Sequence, residues 1–402
     1  MSVSAPSAHP TPPDAARVQG TRVDVQPESA ADEARGTAFE VLQLAFTHAF
    51  GDAERARLDA LLARDVDWSV LPSVATYHGL EALLYTRLAL RADLASDAAA
   101  PAAAAALDRL RSTAHAQAAG TLMLLSELAH VAARLDEAGI PFIVLKGPAL
   151  AEAYGDTARR PFVDNDLWVR REDFDAAEQA IKAIGYSHAV RTPTRRRTYL
   201  NVHAQYTYSR WRGAALCTLD LHRGVVPFGF AYRVPFSDVL ARARTMSVFG
   251  RAVRVPSRED LLVILGYQGF KSFWGRLKYI VDYAQVAQSG LDWARAEAIA
   301  AAAGSRRVFL LGALLASDLL ACTVPPHLLA EARADERIRK VVREVERRIH
   351  ASIRGELVNL GPRVRLSMAV QDDAAGALRY LGYAAFRRLT ERFIERTEGR
   401  SR

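Results

Sequence analysis

The sequence predicts an α+β protein: a small mixed β-sheet set between an N-terminal and a C-terminal helical region. Three observations predict it. Apolar residues recur at the helical spacing of three and four from Thr37 to Gly139. Between Pro141 and Arg223 that spacing gives way to short continuous or alternating apolar runs, the period of strands. The helical spacing resumes at Ser257 and persists to Glu398. The 402 residues therefore divide into a disordered tail (1–36), a helical region (37–139), a sheet-bearing domain (140–256) and a helical domain (257–402). That division is within the two to three folded units the length suggests.

Composition narrows the class. Half the residues are hydrophobic and 24% are charged, enough apolar material for a sizeable core and unlike a wholly disordered chain. Two cysteines, Cys217 and Cys322, exclude a disulfide scaffold and a four-thiolate zinc site. Met1 to Pro13 has no apolar core of a secretory leader. The most apolar run, Val308 to Val324, is broken by Ser317 and Asp318 and reads as a buried helix. The expectation is a soluble, cytoplasmic protein with no membrane partner. Net charge is +8, but only five of the 53 basic residues are lysines. Such an arginine excess beside so much alanine matches the codon bias of a GC-rich genome. The basic balance thus argues only weakly for nucleic acid, although it suits any polyanionic ligand, nucleoside triphosphates included.

The elements follow in order. Phe39, Leu42, Leu44, Ala45 and Phe46 form one helical stripe, and a second helix starts at Ala53 after Gly51-Asp52. Asp67 to Leu90 repeats the pattern, and a long amphipathic helix runs from Leu107 to Ala138, stopped by Gly139. Pro141-Phe-Ile-Val-Leu-Lys146 is a buried strand by its continuous apolar run. A short helix follows from Gly147-Pro148 to Tyr154. A second strand spans Val163 to Val169, a helix Glu172 to Ile184, and a short strand Ser187 to Val190. Thr198 to Arg210 and Ala214 to Arg223 read as two longer strands joined at Arg212-Gly213. Ser257, with Asp260 three residues on, caps the first of the C-terminal helices. The rest span about Leu277–Gln288, Asp292–Ala303, Arg306–Ala321, Pro326–Arg333, Asp335–Ile353 and Ala369–Glu398.

Chemistry concentrates in the middle. On the strand Val163-Asp-Asn-Asp-Leu-Trp-Val169 side chains alternate, so Asp164, Asp166 and Trp168 share one face. Two carboxylates about 7 Å apart on one strand face repel, and a cation between them is the natural compensation. Mg2+ fits, since it takes one or two carboxylates together with phosphate oxygens. On Leu216-Cys-Thr-Leu-Asp-Leu-His222, Thr218, Asp220 and His222 share a face, and Asp220 joins the other acids if the two strands are neighbours. Two ions could then bridge a triphosphate and an attacking hydroxyl. The strand ending Leu145-Lys-Gly147 before a helix offers free N–H groups, the Lys146 charge and a close backbone approach at Gly147. No single piece is specific. The order strand, Lys-Gly turn, helix, D-x-D strand, helix, carboxylate-bearing strand is.

That order resembles the nucleotidyltransferase superfamily with the DNA polymerase β palm. It rests on Phe142-Ile-Val-Leu-Lys-Gly147, Arg160-Pro-Phe-Val-Asp-Asn-Asp-Leu-Trp-Val169, Gly185-Tyr186 and Leu219-Asp-Leu-His222. More narrowly, the chain is similar to the bacterial family of uncharacterised nucleotidyltransferases. Ala75-Thr-Tyr-His-Gly79 through Leu84-Tyr85, Pro256-Ser-Arg-Glu-Asp-Leu-Leu262 and Leu277-Lys-Tyr-Ile-Val-Asp282 extend the likeness over residues 40 to 320. The resemblance implies Asp164, Asp166 and Asp220 as catalytic metal ligands and Lys146-Gly147 as the phosphate turn. Arg160 and Lys271 stand beside these as nucleotide-binding candidates. Three departures stand out: Pro148 replaces the usual Gly or Ser after the glycine, Asn165 replaces an apolar residue, and the segment Gly266 to Lys271 lacks a histidine.

Each candidate also has a plainer reading. Asp164 and Asp166 suit a solvated edge strand, and Asp220 a salt-bridge partner. Arg159 and Arg160 either clamp phosphate or neutralise carboxylates. His203 and His222 suit hydrogen-bonded strand residues. Arg195-Arg-Arg197 is either a solvated loop or an acceptor clamp, and the mixed-sign helix Arg337 to Arg348 is a solvated face. The first functional expectation is an Mg2+-dependent enzyme moving a nucleoside monophosphate from an NTP, ATP foremost, to a hydroxyl of a small molecule, peptide or protein. The alternative is a palm-fold binding or regulatory module without catalysis, for which Pro148 and Asn165 speak. Template-directed polymerisation is disfavoured, because no basic stripe is interleaved with aromatics.

Overall fold

The change of apolar period at Pro141 becomes a change of layer. The computed structural model describes residues 29–48, 50–90, 101–188, 203–226, 230, 232–353 and 363–398. Among the described residues the strands are β1 (Phe142–Val144), β2 (Asn165–Val169), β3 (Ser187–His188), β4 (Gln205–Arg212), β5 (Ala215–His222), β6 (Arg244–Val248) and β7 (Arg251–Val255). The first five form one mixed sheet in the order β1-β2-β5-β4-β3. β2 and β5 run parallel, and the other neighbours run antiparallel. β6 and β7 form a separate hairpin. Helices precede and follow this sheet, so the fold is α+β with helical flanks.

The sheet's two faces differ because its strands alternate. Phe142, Val144, Leu167, Val169, Leu219 and Leu221 pack under the helices Pro101–Glu137 and Phe174–Ala183, meeting Leu128, Val131, Leu135, Ala177 and Ile181. The opposite face carries Ile143 and Trp168 in a smaller apolar cluster with Val225, Val239 and Ile264. Asp166, Asp220 and His222 lie on that second face. Helices from the two ends of the chain share a third core, where Phe39, Leu42 and Leu84 join Leu314, Val341 and Val345. His78 stitches them further, its Nδ1 accepting from the Leu277 N–H at 3.1 Å. Among the described residues no helix is long and apolar enough to cross a membrane.

Several boundaries differ from the sequence reading, each for a local reason. The first helix spans Ala30–Phe46, so residues 30–36 are helical rather than tail. Ser29 caps it, accepting from the Asp32 N–H at 3.2 Å and donating to the Asp32 carboxylate at 2.9 Å. Residues 1–28 of the expected tail, residues 189–190 of the third strand and residues 198–202 of the fourth lie outside the described residues. The helix Phe236–Arg242 and the β6–β7 hairpin were not read from the sequence. The hairpin turns at Phe249 and Gly250, both at positive φ (48° and 78°) as a two-residue turn requires, and a phenylalanine in that position masks the usual signal. The helix expected from Ala369 starts instead at Ala374 and runs to Glu398, opened by Asp373 accepting from the Gly376 N–H at 2.6 Å, and a short helix the sequence did not suggest, Arg363–Ala369, precedes it. Both cysteines are buried free thiols.

Helix Arg258–Lys271 runs to the acidic face and stops abruptly. Phe273 and Trp274 both have φ of 50°, a costly conformation for bulky residues. It persists because Trp274 lies flat on Gly269, where an added Cβ would stand 2.5 Å from three ring carbons. Gly269→Ala should therefore cost about 1–3 kcal/mol by overpacking, read as a lower urea midpoint at unchanged slope. An unchanged midpoint would show that the tryptophan is not wedged.

Candidate active site

Parallel pairing of β2 with β5 sets Asp166 directly beside Asp220, and Trp168 beside His222. The sequence left open whether these strands are neighbours, and the structure makes them so. Asp166 is 3% exposed and His222 2%. The Asp166 Oδ1 lies 2.9 Å from His222 Nε2 and 3.0 Å from Lys146 Nζ. Asp220 accepts from both neighbours on β4: Gln205 Nε2 donates to Oδ2 and Thr207 Oγ1 donates to Oδ1, each at 2.5 Å. That support follows from register, since β4 pairs Thr207 with Asp220 and Gln205 with His222. Asn165 points the other way, its Nδ2 donating to the Leu124 carbonyl at 2.8 Å. The polar middle residue of the D-x-D is thus a tie to the long helix.

Ligand atoms of Asp166, Asp220 and His222 lie within 4.8 Å of one another, a buried set that could hold a metal ion. Asp164 is not a member of that set, although its charge is felt by Lys146. Two carboxylates with a third nearby suit a hard cation such as Mg2+, and the structure carries its own stand-in for that charge, the Lys146 ammonium. The donors therefore fit the group the fold implies.

Titration follows from this crowding. Burial opposes charge on Asp166, but the Lys146 ammonium and then the hydrogen bond from His222 outweigh it and hold the carboxyl well below the usual range. Asp164 moves oppositely: burial, then repulsion from Asp166, pushes it up to about 6. Burial also works against the Lys146 charge, yet Asp166 and Asp164 keep its pKa above the ordinary lysine value. At Lys271, which ends helix Arg258–Lys271, burial and then repulsion from Lys146 lower the pKa, while Asp166 and Asp220 work against that. Lys271 thus belongs to the same electrostatic cluster.

The family model described as uncharacterised nucleotidyltransferase matches residues 64–321. The chain belongs to that family. No curated protein matches it. Among solved structures, the solution structure of the antibiotic-resistance factor ANT(2'')-Ia is 20% identical, over 45% of this chain and 89% of that one, with a TM-score of 0.31. The crystal structure of ANT(2'')-Ia in complex with adenylyl-2''-tobramycin is 18% identical, over 45% and 97%, with a TM-score of 0.32.

In this nucleotidyltransferase the Lys-Gly turn is built as the sequence suggests at one residue and not at the next. Gly147 has φ 55° and ψ −109°, and an added Cβ would stand 3.3 Å from the Phe162 ring, so glycine serves both conformation and space. The helix after it, Pro148–Glu152, has five residues, too few for much dipole, so Lys146 and the Gly147 amide carry the turn's positive character. Arg160 has a different partner from the one the phosphate reading gives it. Its Nε and Nη2 grip Asp282 of helix Leu277–Ala287, both at 2.6 Å, and Nη1 donates to the Pro161 carbonyl at 2.6 Å. Arg195-Arg-Arg197 lies outside the described residues. Sequence reasoning placed His222 on Asp220's face as a hydrogen-bonded strand residue, and gave Gln205 and Thr207 no role in the site. The clue lay in the alternation of β4, which puts Gln205 and Thr207 on one face two residues apart.

The raised Asp164 pKa has a stability consequence. Folded near 6 and unfolded near the ordinary 3.8, this carboxyl binds more protons in the folded state between those values, so its contribution is lost as pH rises through 6. In metal-free enzyme Asp164→Asn should raise stability by about 1–2 kcal/mol above pH 6, the gain shrinking to nothing below pH 4. Denaturant melts at pH 3.5 and 7.5 check this, and an equal effect at both would contradict it.

Proposed function

We propose that this enzyme is an Mg2+-dependent nucleotidyltransferase moving a nucleoside monophosphate from an NTP, ATP foremost, to a hydroxyl of a small molecule, peptide or protein. The observation that carries the reading is the parallel pairing that sets Asp220 against Asp166, with Lys146 offsetting one of the cluster's charges. Asp164, Asp166 and Asp220 would hold the metal, with His222 against Asp166. Bound there, a divalent ion would offset the charge of the triphosphate and of the transition state.

The chain's own residues then have separable tasks. Lys146 offers a point charge to a phosphate oxygen, and Gly147 lets the backbone approach it closely. Lys271, crowded by Lys146, lies in the same field and suits the anionic end of the nucleotide. Gln205 and Thr207 fix the Asp220 rotamer while leaving its remaining lone pairs for a proton. In the transfer the acceptor oxygen bonds to the α-phosphorus, the bond from that phosphorus to the bridging oxygen breaks, and pyrophosphate leaves. The acceptor's proton passes to Asp220. We assign this chemistry to the palm, residues 140–256, and acceptor selection to the helical regions 37–139 and 257–402. An NTP and a hydroxyl-bearing acceptor are then the partners, with no nucleic acid.

A thermal-shift titration with ATP and Mg2+ tests the reading. A ligand that binds only the folded enzyme adds about 2.7 kcal/mol at 100 times its Kd. The wild type should gain Tm with ATP and Mg2+ together, while Asp166→Asn and Asp220→Asn should not. No shift with any NTP at millimolar ligand and metal, or equal shifts in both variants, would overturn it.

A further inference from the structure

One carboxylate outside the sheet holds both approaches to the acidic cluster. Asp282, 4% exposed in its side chain, accepts from Arg160 Nε and Nη2 at 2.6 Å each and from the Tyr154 hydroxyl at 2.7 Å. Tyr154 follows the helix Pro148–Glu152 that leaves the Lys146-Gly147 turn, and Arg160 precedes Asp164 by four residues. One helical turn along from Asp282, Gln285 Nε2 donates to the Ala153 carbonyl at 2.7 Å. Two residues past Arg160, the Phe162 ring lies against Gly147, and the Phe162 N–H donates to Thr121 Oγ1 at 3.3 Å. The chain leaving the phosphate turn and the chain entering the acidic strand are thus pinned to the same side chain.

We infer that Arg160 and Asp282 are positioning residues, whose two-pronged ion pair fixes the Lys146-Gly147 turn relative to Asp164 and Asp166. The inference rests on the nucleotidyltransferase reading of that cluster. Physical chemistry favours it over two alternatives. A buried ion pair is a poor stabiliser, because desolvating both charges offsets most of their attraction. What such a pair supplies is direction: the planar fork of arginine meets a carboxylate in one orientation only. A direct phosphate clamp would need the guanidinium turned to the cluster, but three of its five N–H donors, one each on Nε, Nη2 and Nη1, are directed to Asp282 and Pro161.

Four full-length proteins test it: wild type, Arg160→Lys, Asp282→Asn, and the apolar pair Arg160→Met with Asp282→Leu. Two readouts are taken on each, amide hydrogen exchange and calorimetric titration with Mg2+ and α,β-methylene-ATP. In Asp282→Asn, exchange should quicken at residues 147–152 and 162–167 without matching acceleration in helix Arg306–Leu320, and the analogue's Kd should rise at least tenfold. The apolar pair, with no buried charge left unpaired, should keep a Tm near the wild type yet bind the analogue as weakly as Asp282→Asn. Unchanged exchange in both segments overturns the inference, as does uniform acceleration with a fallen Tm, which would mark the pair as merely structural. Loss of affinity in Arg160→Lys alone also overturns it, making Arg160 a direct phosphate contact. If the wild type binds no analogue, the nucleotide reading fails, and the exchange pattern still decides whether the pair fixes the turn.

Discussion

The structure turns on a concentration of negative charge that the fold brings together and must then offset. Parallel pairing of β2 and β5 drives Asp166 and Asp220 onto neighbouring positions of a face otherwise closed by Trp168, Ile143 and Ile264. In such surroundings like charges cannot stand unaided. Lys146 supplies an ammonium, His222 shares Asp166, and Gln205 with Thr207 brace Asp220. Asp164, left with the poorest share of these partners, takes the strain as a pKa near 6.

The helices serve that site from a distance. The helices at the two ends of the chain share one core, so the C-terminal helices that bear Lys271 and Asp282 are held against N-terminal ones. His78 accepts from the backbone at Leu277, and Trp274 locks the end of the helix that carries Lys271 by lying on Gly269. Packing in the helical body thereby sets the direction from which positive side chains reach the sheet. Jigsaw packing of this kind transmits small displacements rather than absorbing them.

Much of this was legible in the residues. The shift from a helical to a strand period at Pro141, and back at Ser257, located the sheet, and alternation put Asp166 and Trp168 on one face, although the strand starts at Asn165 and leaves Asp164 just before it. Gly147 was read only as a glycine that permits a close backbone approach, and its positive φ of 55° is a finding of the structure. Pairing between distant strands was not legible, because register depends on tertiary contacts that one sequence does not display. Hence the Asp166–Asp220 alignment was conditional, and Gln205, Thr207 and His222 passed as ordinary polar strand residues. Arg160 shows the same limit: its proximity to the D-x-D suggested phosphate, while its partner, Asp282, lies more than a hundred residues away. Phe249 in a left-handed turn hid a whole hairpin, since local signals describe the usual residue rather than the one a fold can force.

The central claim is that the acidic face gathers a divalent ion and a triphosphate. Anomalous diffraction from crystals soaked with Mn2+ and α,β-methylene-ATP tests it most directly. The account predicts a metal peak bounded by Asp164, Asp166 and Asp220, with phosphate oxygens between it and Lys146. A peak elsewhere, or an acidic face still closed by the Lys146–Asp166 pair in crystals that have taken up nucleotide, would contradict it.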